Sequence, residues 1–300
     1  MAILEDALLR PRTSIVVIAL NAEPTLAGVL SSVKALAEEI VVVDMRSDDR
    51  TVEIAQAFGA KVCTHERVPV VELARKHAVM QARGDWVLVL DADEEITLGL
   101  GVEIDKAISN DAYDVIELPR ANCALSGFAL HEAGFPEYHR RLFRRSVVDL
   151  DGYRGIIHSF FSFLPGARIG RIRGRFPDVM IYHPSNPTVS GFVDKINRYT
   201  TIEAAQHYDE LRPLSRLCLA ALWRPFKAFG VHYIRRRGFL DGWRGLWMST
   251  LFAFYEWLTL CKIWEMSIHN GAVPTDDAAR HKMRSLVAGD RQRASGQTQE

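Results

Sequence analysis

Asp85-Trp-Val-Leu-Val-Leu-Asp91-Ala-Asp93-Glu94-Glu95 is the stretch that decides the fold of this chain. An apolar run of this kind is typical of a strand buried on both faces, and the carboxyl end of such a strand is where an open α/β sheet binds ligands. In extended geometry, Asp91 and Asp93 would point to the same side. Two carboxylates facing one spot suit Mg²⁺ or Mn²⁺ better than zinc. The alternative for this stretch alone is a strand end followed by a solvated acidic turn.

Three further apolar segments precede this strand, and helical patterns separate them. We expect strands at 14–20, 39–44 and 61–64, and helices at 26–36, 52–58 and 71–81. Connections this short between alternating strands and helices predict a parallel sheet with right-handed crossovers. The predicted fold is therefore α/β, with a mostly parallel central sheet and helices on both faces.

Acidic or amide side chains follow three of these strands, at Asn21 and Glu23, at Asp44, and at Asp91 and Asp93. Each is more often a turn former when it occurs alone, but together they converge on the carboxyl edge of the predicted sheet. The glycine fingerprint of dinucleotide-binding folds is missing after the first strand, and so is the P-loop pattern. A nucleotide at this edge would therefore be held by side chains and a metal ion.

The composition is that of a folded soluble protein, with 48% apolar residues, 25% charged residues and a formal net charge of zero. Whole-molecule attraction to nucleic acid is therefore not indicated. The four cysteines are far apart and lack metal-finger spacing, which favours a reducing cytoplasmic compartment. Segment 1–12 lacks the apolar core of a signal peptide.

The ordered set of motifs resembles a family 2 glycosyltransferase of the GT-A fold, and more narrowly the bacterial lipopolysaccharide-core β-1,4-glucosyltransferase group. The resemblance runs from about residue 13 to 265 and rests on 18–23, 41–51, 84–95, 136–137, 141–145, His158, His183 and 240–245. It implies an N-terminal extension (1–12), a GT-A catalytic domain (13–186), a helical region (187–270) and a polar tail (271–300). Within the catalytic domain it implies a donor-binding half (13–97) and an acceptor half (98–186).

The resemblance also implies a role for individual residues. Asn21, Glu23 and Asp44 would hold the nucleoside, and Asp91 the ribose or the metal. Asp93 would bind the Mg²⁺ or Mn²⁺ ion, and His183 would complete the metal site, although a histidine before Pro184 is also an ordinary strand end. The ion would neutralise the diphosphate as the glycosidic bond breaks.

Basic residues are expected on the donor as well. Arg75 and Lys76 stand where the family usually has a basic residue followed by Asn, so Arg75 is assigned to the donor and Lys76 to a phosphate as a point charge. Arg141 is the residue between 140 and 145 expected to face the diphosphate or an anionic acceptor. For most of the arginines in that segment, a solvated strand face is the preferred interpretation.

The general base is the largest departure from the family pattern. Inverting transfer needs a base for the proton of the attacking hydroxyl, and the resemblance places a Glu directly after His158, where this chain has Ser159. Glu137, Asp151 and Glu132 are the other carboxylates considered, and Glu137 is preferred. The alternatives are an unusual acceptor or an impaired activity.

The C-terminal third combines basic and aromatic residues. Eight Arg or Lys and one acid lie between Arg212 and Arg244, interleaved with Leu, Trp and Phe. This pattern predicts a membrane-associating helical extension that contacts an anionic surface through 212–266; ordinary helices packed on the catalytic domain are the alternative. Glu256, Lys262 and Glu265 make a bilayer span through 245–266 costly. No nucleic-acid-binding motif is visible.

The expected function is metal-dependent, inverting transfer of a sugar from a nucleotide-diphosphate sugar, UDP-linked by default. The expected acceptor is a lipid-linked, lipopolysaccharide or exopolysaccharide saccharide at the inner face of the cytoplasmic membrane. A sugar nucleotidyltransferase would need a glycine-rich basic loop after the first strand, and 21–24 is not one. A degenerate glycosyltransferase that serves as a membrane-bound assembly partner is the non-enzymatic alternative, and Ser159 is its only support.

Overall fold

The structure is a computed structural model that describes residues 12–68, 71–124, 127–128, 135–153, 161–186, 188–211 and 213–275. The chain divides into two compact units, Met1–Val189 and Ser190–Glu300. The first unit is an α/β sheet structure and the second is helical.

The first unit begins with alternating strands and helices. Their bounds are β1 Thr13–Ala19, α1 Leu26–Val33, β2 Glu39–Asp44, α2 Thr51–Ala57, β3 Lys61–Thr64, α3 Glu72–Met80 and β4 Trp86–Asp91. β3, β2, β1 and β4 are neighbours in that order, and all of their pairings are parallel. The predicted parallel sheet is thus confirmed, and each strand lies within one residue of its predicted bounds.

The sheet continues with strands that run both ways. The elements are β5 Glu95–Ile96, α4 Leu98–Ser109, β6 Val115–Ala124, β7 Gly127–Phe128, β8 Glu137–Arg144, β9 Val148–Asp149, β10 Ser162–Phe163, β11 Ile169–Arg171 and β12 Ile181–Asn186. β8 is antiparallel to both β4 and β6, whereas β12 and β11 are parallel to β6. Reversing the chain at β8 brings the start of that strand to the edge where β6 ends, beside the end of β4.

Two apolar clusters cover the two faces of the sheet. β1 is buried along its whole length, so its alternate side chains enter opposite clusters. Ile15 and Val17 pack with residues of α1 and α4, and Val16 and Ile18 pack with residues of α3. The continuous apolar run of this strand is explained by this burial on both sides, and helices lie on both faces as predicted.

The second unit contains α5 Val189–Leu211, α6 Leu214–Gly230 and α7 Gly242–Ile268, with a π-helical turn at Val231–Arg235 and a 3-10 turn at Gly238–Asp241. α6 packs along α7, and Leu217, Leu260 and Ile263 belong to a small buried core of this unit. Within the described residues, no helix is both long and apolar enough to cross a bilayer.

Candidate functional site

The carboxyl edge of β1, β2 and β4 carries the predicted acidic residues. Asp44 is paired across the sheet with Ala19, and Asp91 with Ile18, so the two carboxylates lie in adjacent rows on either side of β1. Strands lie about 4.8 Å apart, which puts these residues about 10 Å from each other. Asp44 is buried, and both of its oxygens accept the backbone N–H of Ser47 at 3.2 Å. The edge is therefore an acidic rim of about the width of a nucleoside.

The loop after β1 is fastened to the loop after β2. Asn21 adopts a left-handed backbone (φ 50°), its N–H donates to Ser47 Oγ, and its Oδ1 accepts the N–H of Asp48, both at 2.8 Å. Glu23 accepts hydrogen bonds from the backbone and guanidinium of Arg50, and these bonds lower the pKa of Glu23. Both side chains thus hold the shape of the rim through bonds within the protein.

Asp91 sits between two arginines. Arg141 Nη2 donates to one oxygen of Asp91 at 2.9 Å, and Arg75 Nη2 to the other at 3.4 Å. Burial alone would raise the pKa of Asp91, but the charges of Arg141 and Arg75 outweigh it, so the net pKa is well below its usual range. The structure therefore brings Arg75, Asp91 and Arg141 together through bonds to one another.

Glu94 is the residue of this site that the sequence interpretation missed. It is 0% exposed, and its Oε2 accepts the N–H of Asp91 at 3.0 Å, while its own N–H donates to the carbonyl of Asp91. Its Oε1 receives Arg141 Nη2 at 2.9 Å and Arg120 Nη1 at 3.0 Å. Burial raises the pKa of Glu94, but the charges of Arg141 and Arg120 outweigh this effect, so the net pKa lies below its ordinary value.

These bonds fold the chain after β4 into a turn. The extended alternation expected for 91–93 is not present, because the hydrogen bond from Glu94 N–H to the Asp91 carbonyl closes a turn over these residues. The two aspartates consequently have different neighbours: Asp91 faces arginines, and Asp93 faces a histidine.

Asp93 and His183 form the second part of the site. His183 Nε2 lies 3.6 Å from Asp93 Oδ2, and its Nδ1 lies 2.9 Å from Asn122 Oδ1. Asn122 uses its amide nitrogen to donate to Glu137 at 3.0 Å, so its oxygen is the acceptor that faces the histidine. His183 therefore donates from Nδ1, and in the neutral ring Nε2 carries a lone pair directed at the Asp93 side.

A divalent cation fits between these two atoms. Metal ligands at about 2.0–2.2 Å from one ion can lie up to about 4 Å apart, and a ligating His usually donates its other N–H to a fixed acceptor such as Asn122. Among the described residues, no three His, Cys, Asp or Glu side chains form a ready metal centre. Asp93 and His183 would thus hold an ion that takes its other ligands from diphosphate and water, as Mg²⁺ commonly does.

Glu137 belongs to the same cluster of bonded polar side chains, because Asn122 and Arg120 both donate to it. Its Oε2 accepts Arg120 Nη2 at 2.7 Å, and it lies 3.1 Å from His139 Nε2. Burial raises the pKa of Glu137, but His139 and Arg120 outweigh it, so the net pKa lies well below its usual range. A carboxylate held in its ionised form by cation and hydrogen-bond donors is a weak proton acceptor.

Asp151 has the opposite setting. It is fully exposed in the turn after β9, and Lys76 Nζ lies 3.5 Å from its carboxylate. Tyr153 of the same turn donates its hydroxyl to the carbonyl of Glu72, and Glu72 in turn lies 3.7 Å from Arg75. The turn is thereby tied to the end of α3 that carries Arg75. Glu132, His158 and Ser159 lie outside the described residues.

The other arginines of β8 and its end have structural partners. Arg140 bonds Glu117, Arg144 bonds Asp111, and Arg145 bonds the carbonyl of Gly84. Arg141 is buried at 6% exposure, which separates it from the exposed Arg140 beside it. Alternation along β8 places Arg141 on the face that meets Asp91 and Arg140 and Arg144 on the other face, while Arg145 lies beyond the strand.

Comparison with known proteins gives a consistent family. The sequence model described as "Glycosyl transferase family 2" matches residues 14–164. An uncharacterised glycosyltransferase of Rickettsia typhi is 27% identical over 278 residues, covering 89% of this chain and 91% of the relative. One from Rickettsia conorii is 28% identical over 281 residues, covering 90% and 95%. The mannosyltransferase PcManGT from Pyrobaculum calidifontis, solved with GDP-Man and Mn²⁺, superposes with a TM-score of 0.47 at 16% identity, covering 85% of this chain and 88% of that one.

Proposed function

The chain belongs to glycosyl transferase family 2, and from that premise we propose that it is a metal-dependent, inverting glycosyltransferase that uses a nucleotide-diphosphate sugar. The observation that carries the proposal is the pairing of Asp93 with His183 beside the Asp91, Arg141 and Arg75 cluster. One half of this site offers two ligand atoms for a cation, and the other half is a buried network of arginines paired with carboxylates.

The proposed donor lies along the acidic rim. Asp44 takes the ribose or base at the end of β2, and the diphosphate lies toward Asp91 and the two arginines bonded to it. A divalent ion on Asp93 and His183 would act as a Lewis acid for the leaving diphosphate. We take UDP as the default nucleotide, because the resemblance to the family implies it.

In the proposed reaction, an acceptor hydroxyl forms a bond to the anomeric carbon while the bond from that carbon to the diphosphate oxygen breaks. The hydroxyl proton passes to a carboxylate, and the nucleoside diphosphate departs with the bonding electrons. We assign the proton acceptor to Asp151 rather than Glu137. Asp151 is exposed to an acceptor and to water, whereas Glu137 is committed to Arg120, Asn122 and His139.

The assignment of the base predicts a clear difference between two variants. Asp151→Asn should lower kcat by about a hundredfold to ten-thousandfold with the donor Kd unchanged, because only the proton transfer is lost. Glu137→Gln should retain more than about a tenth of kcat, since Gln can still accept from Arg120 and Asn122. Steady-state kinetics with a soluble acceptor, together with titration of the donor, measures both.

If Glu137→Gln lowered kcat more than Asp151→Asn did, the general base would be Glu137. Normal turnover in both variants would move it to a carboxylate outside the described residues, with Glu132 the first to replace. Glu38→Gln is the matched control, because it neutralises an exposed carboxylate of the same unit just before β2, at the end of that strand opposite the rim.

Donor binding is tested by thermal unfolding with UDP, GDP and their sugar conjugates, each with and without Mn²⁺. A ligand that binds only the folded state and is present at about a hundred times its Kd raises the free energy of unfolding by about 2.7 kcal/mol. For a unit of this size, that increase raises Tm by about 5–10 °C. We expect the increment for a nucleoside diphosphate to appear only with the metal. The matching monophosphate should show little metal dependence, because it lacks the second phosphate. Equal shifts without metal would contradict the proposed metal site.

The proposed acceptor is a saccharide on a lipid, placed at the cytoplasmic side of the membrane. Its support is the basic and aromatic composition of 212–266, since a lipid-bound acceptor requires the enzyme to work at a membrane surface.

A further inference from the structure

The outward side of α7 is an apolar stripe. Its members recur at spacings of three, four and seven residues, so they lie on one side of the helix. Their exposed fractions are 75% for Trp243, 57% for Trp247, 46% for Phe254, 58% for Trp257, 53% for Trp264 and 40% for Ile268. Large aromatic side chains that are about half exposed along seven turns form a far larger apolar surface than scattered surface residues do.

Two of the three charged residues in the second half of α7, Glu256 and Lys262, point away from this stripe, whereas Glu265 is exposed beside it near the end of the helix. Glu256 pairs with Arg224 of α6 at 2.8 Å. Lys262 Nζ donates to Asn197 Oδ1 at 2.8 Å and to the hydroxyls of Thr200 and Thr201 at 2.9 and 2.7 Å. Both charges therefore have partners on α5 or α6, within the helical unit. The cost that they would impose on contact with lipid is largely removed, because they point away from the stripe.

α6 has an exposed apolar side as well, and basic residues accompany both helices. Its exposed members are Leu219, Leu222, Trp223 and Phe226. Lys227 follows that stripe, and Arg235, Arg236 and Arg237 lie exposed at the turn between α6 and α7. Among the described residues, these arginines are not joined to an acidic side chain by an ion pair. Their charge is therefore available for an anionic surface.

We propose that the α7 stripe inserts into the interfacial layer of an anionic bilayer, with Arg235 and Arg236 on the lipid headgroups. Trp is the side chain that prefers this layer, because its ring is apolar and its N–H remains hydrogen-bonded. A second copy of the chain is the competing occupant. In such a dimer, two copies of α7 would meet through Trp, Thr and Cys, whereas paired helices favour Leu, Ile and Val at the contact positions.

This proposal deepens the proposed function, because it names the surface that would bring the enzyme to a lipid-linked acceptor. It is independent of turnover, since vesicle binding requires neither donor nor acceptor. A chain that binds vesicles but transfers no sugar would contradict only the proposed function, and the opposite result would contradict only this inference.

The experiment measures binding of the full chain to vesicles of phosphatidylcholine with and without phosphatidylglycerol, at low and high salt. Tryptophan fluorescence is followed with lipids brominated at different depths. We expect salt-sensitive binding to the anionic vesicles, a blue shift, and quenching strongest for shallow bromines. Trp247→Gln with Trp257→Gln should weaken partitioning at least about tenfold. Arg235→Gln with Arg236→Gln should remove most of the preference for anionic lipid.

Leu98→Gln is the matched control, because Leu98 is 89% exposed in the first unit and should not change partitioning. Circular dichroism of each variant verifies that the helices remain. The proposal would be overturned if the chain did not bind anionic vesicles, or if the Trp247→Gln and Trp257→Gln double variant bound them as well as the native protein does. The proposal would also be overturned if sedimentation detected a dimer in the absence of lipid and the same Trp replacements dissociated that dimer.

Discussion

Replacing Asp93 by alanine is expected to reduce sugar transfer by about a thousandfold while hardly changing the stability of the fold. The carboxylate is partly exposed and lies 3.6 Å from His183, so little packing depends on it. Loss of the metal contact would remove about 4 kcal/mol of stabilisation from the developing charge on the diphosphate, which corresponds to that factor. Initial rates at saturating donor, over a range of Mn²⁺ concentrations, measure the effect.

Two controls separate loss of the metal from general damage. Glu38→Ala removes an exposed carboxylate from the same unit and should leave the rate unchanged. His183→Ala should raise the Mn²⁺ concentration needed for half-maximal rate about tenfold to a hundredfold, since it removes the other proposed ligand. A fully active Asp93→Ala enzyme with unaltered metal dependence would exclude the proposed site.

Replacing Arg141 by methionine is expected to destabilise the first unit by about 3–5 kcal/mol. Arg141 is 6% exposed and bonds Asp91 and Glu94, so its removal leaves two carboxylates in a buried site with one cation fewer. For a unit of this size, the change corresponds to a fall in Tm of about 10 °C. Scanning calorimetry measures it, with Arg140→Met as the control, because the exposed Arg140 should contribute less than about 1 kcal/mol.

Adding Glu94→Gln to Arg141→Met should recover about 1–2 kcal/mol, because the buried charge that lost its partner becomes neutral. The pH dependence gives a second check. In the native protein the pKa values of Asp91 and Glu94 lie below their ordinary values of 3.8 and 4.5. Their stabilisation is therefore present above about pH 4.5 and is lost as pH falls toward the folded values.

In the Arg141→Met variant, loss of the Arg141 charge raises the pKa of both carboxylates relative to the native protein, so protonation on acidification relieves the unpaired charge. The difference in stability between native protein and variant should consequently narrow below about pH 4.5. A loss below about 1 kcal/mol at neutral pH would show that the cluster is not a buried charge network.

The parallel half of the sheet was predictable because its physics is local. β1, β2, β3 and β4 are short apolar runs separated by helices with ordinary start and stop signals. Strands joined through helices favour a parallel arrangement, and that arrangement brings Asp44 and Asp91 to one edge.

The polar cluster could not be predicted in the same way. Glu94 looks like one more acid in a solvated turn, yet it is fully buried, because Arg120 and Arg141 reach it from strands 26 and 47 residues further along the chain. The partner of His183, Asn122, lies 61 residues away, and the sequence pattern around either residue does not specify the other.

The sequence by itself determined the α/β fold, the family and the acidic edge of the sheet, because hydrophobic periodicity and strand order act through neighbouring residues. Only the tertiary structure decided how the charges pair. The reversal of the chain at β8 brings Arg141 and Glu137 to the ends of β4 and β6. The turn at Glu94 then places Asp91 beside the arginines and Asp93 beside His183. Burial then makes those pairings obligatory, since an unpaired charge in this site would cost several kcal/mol.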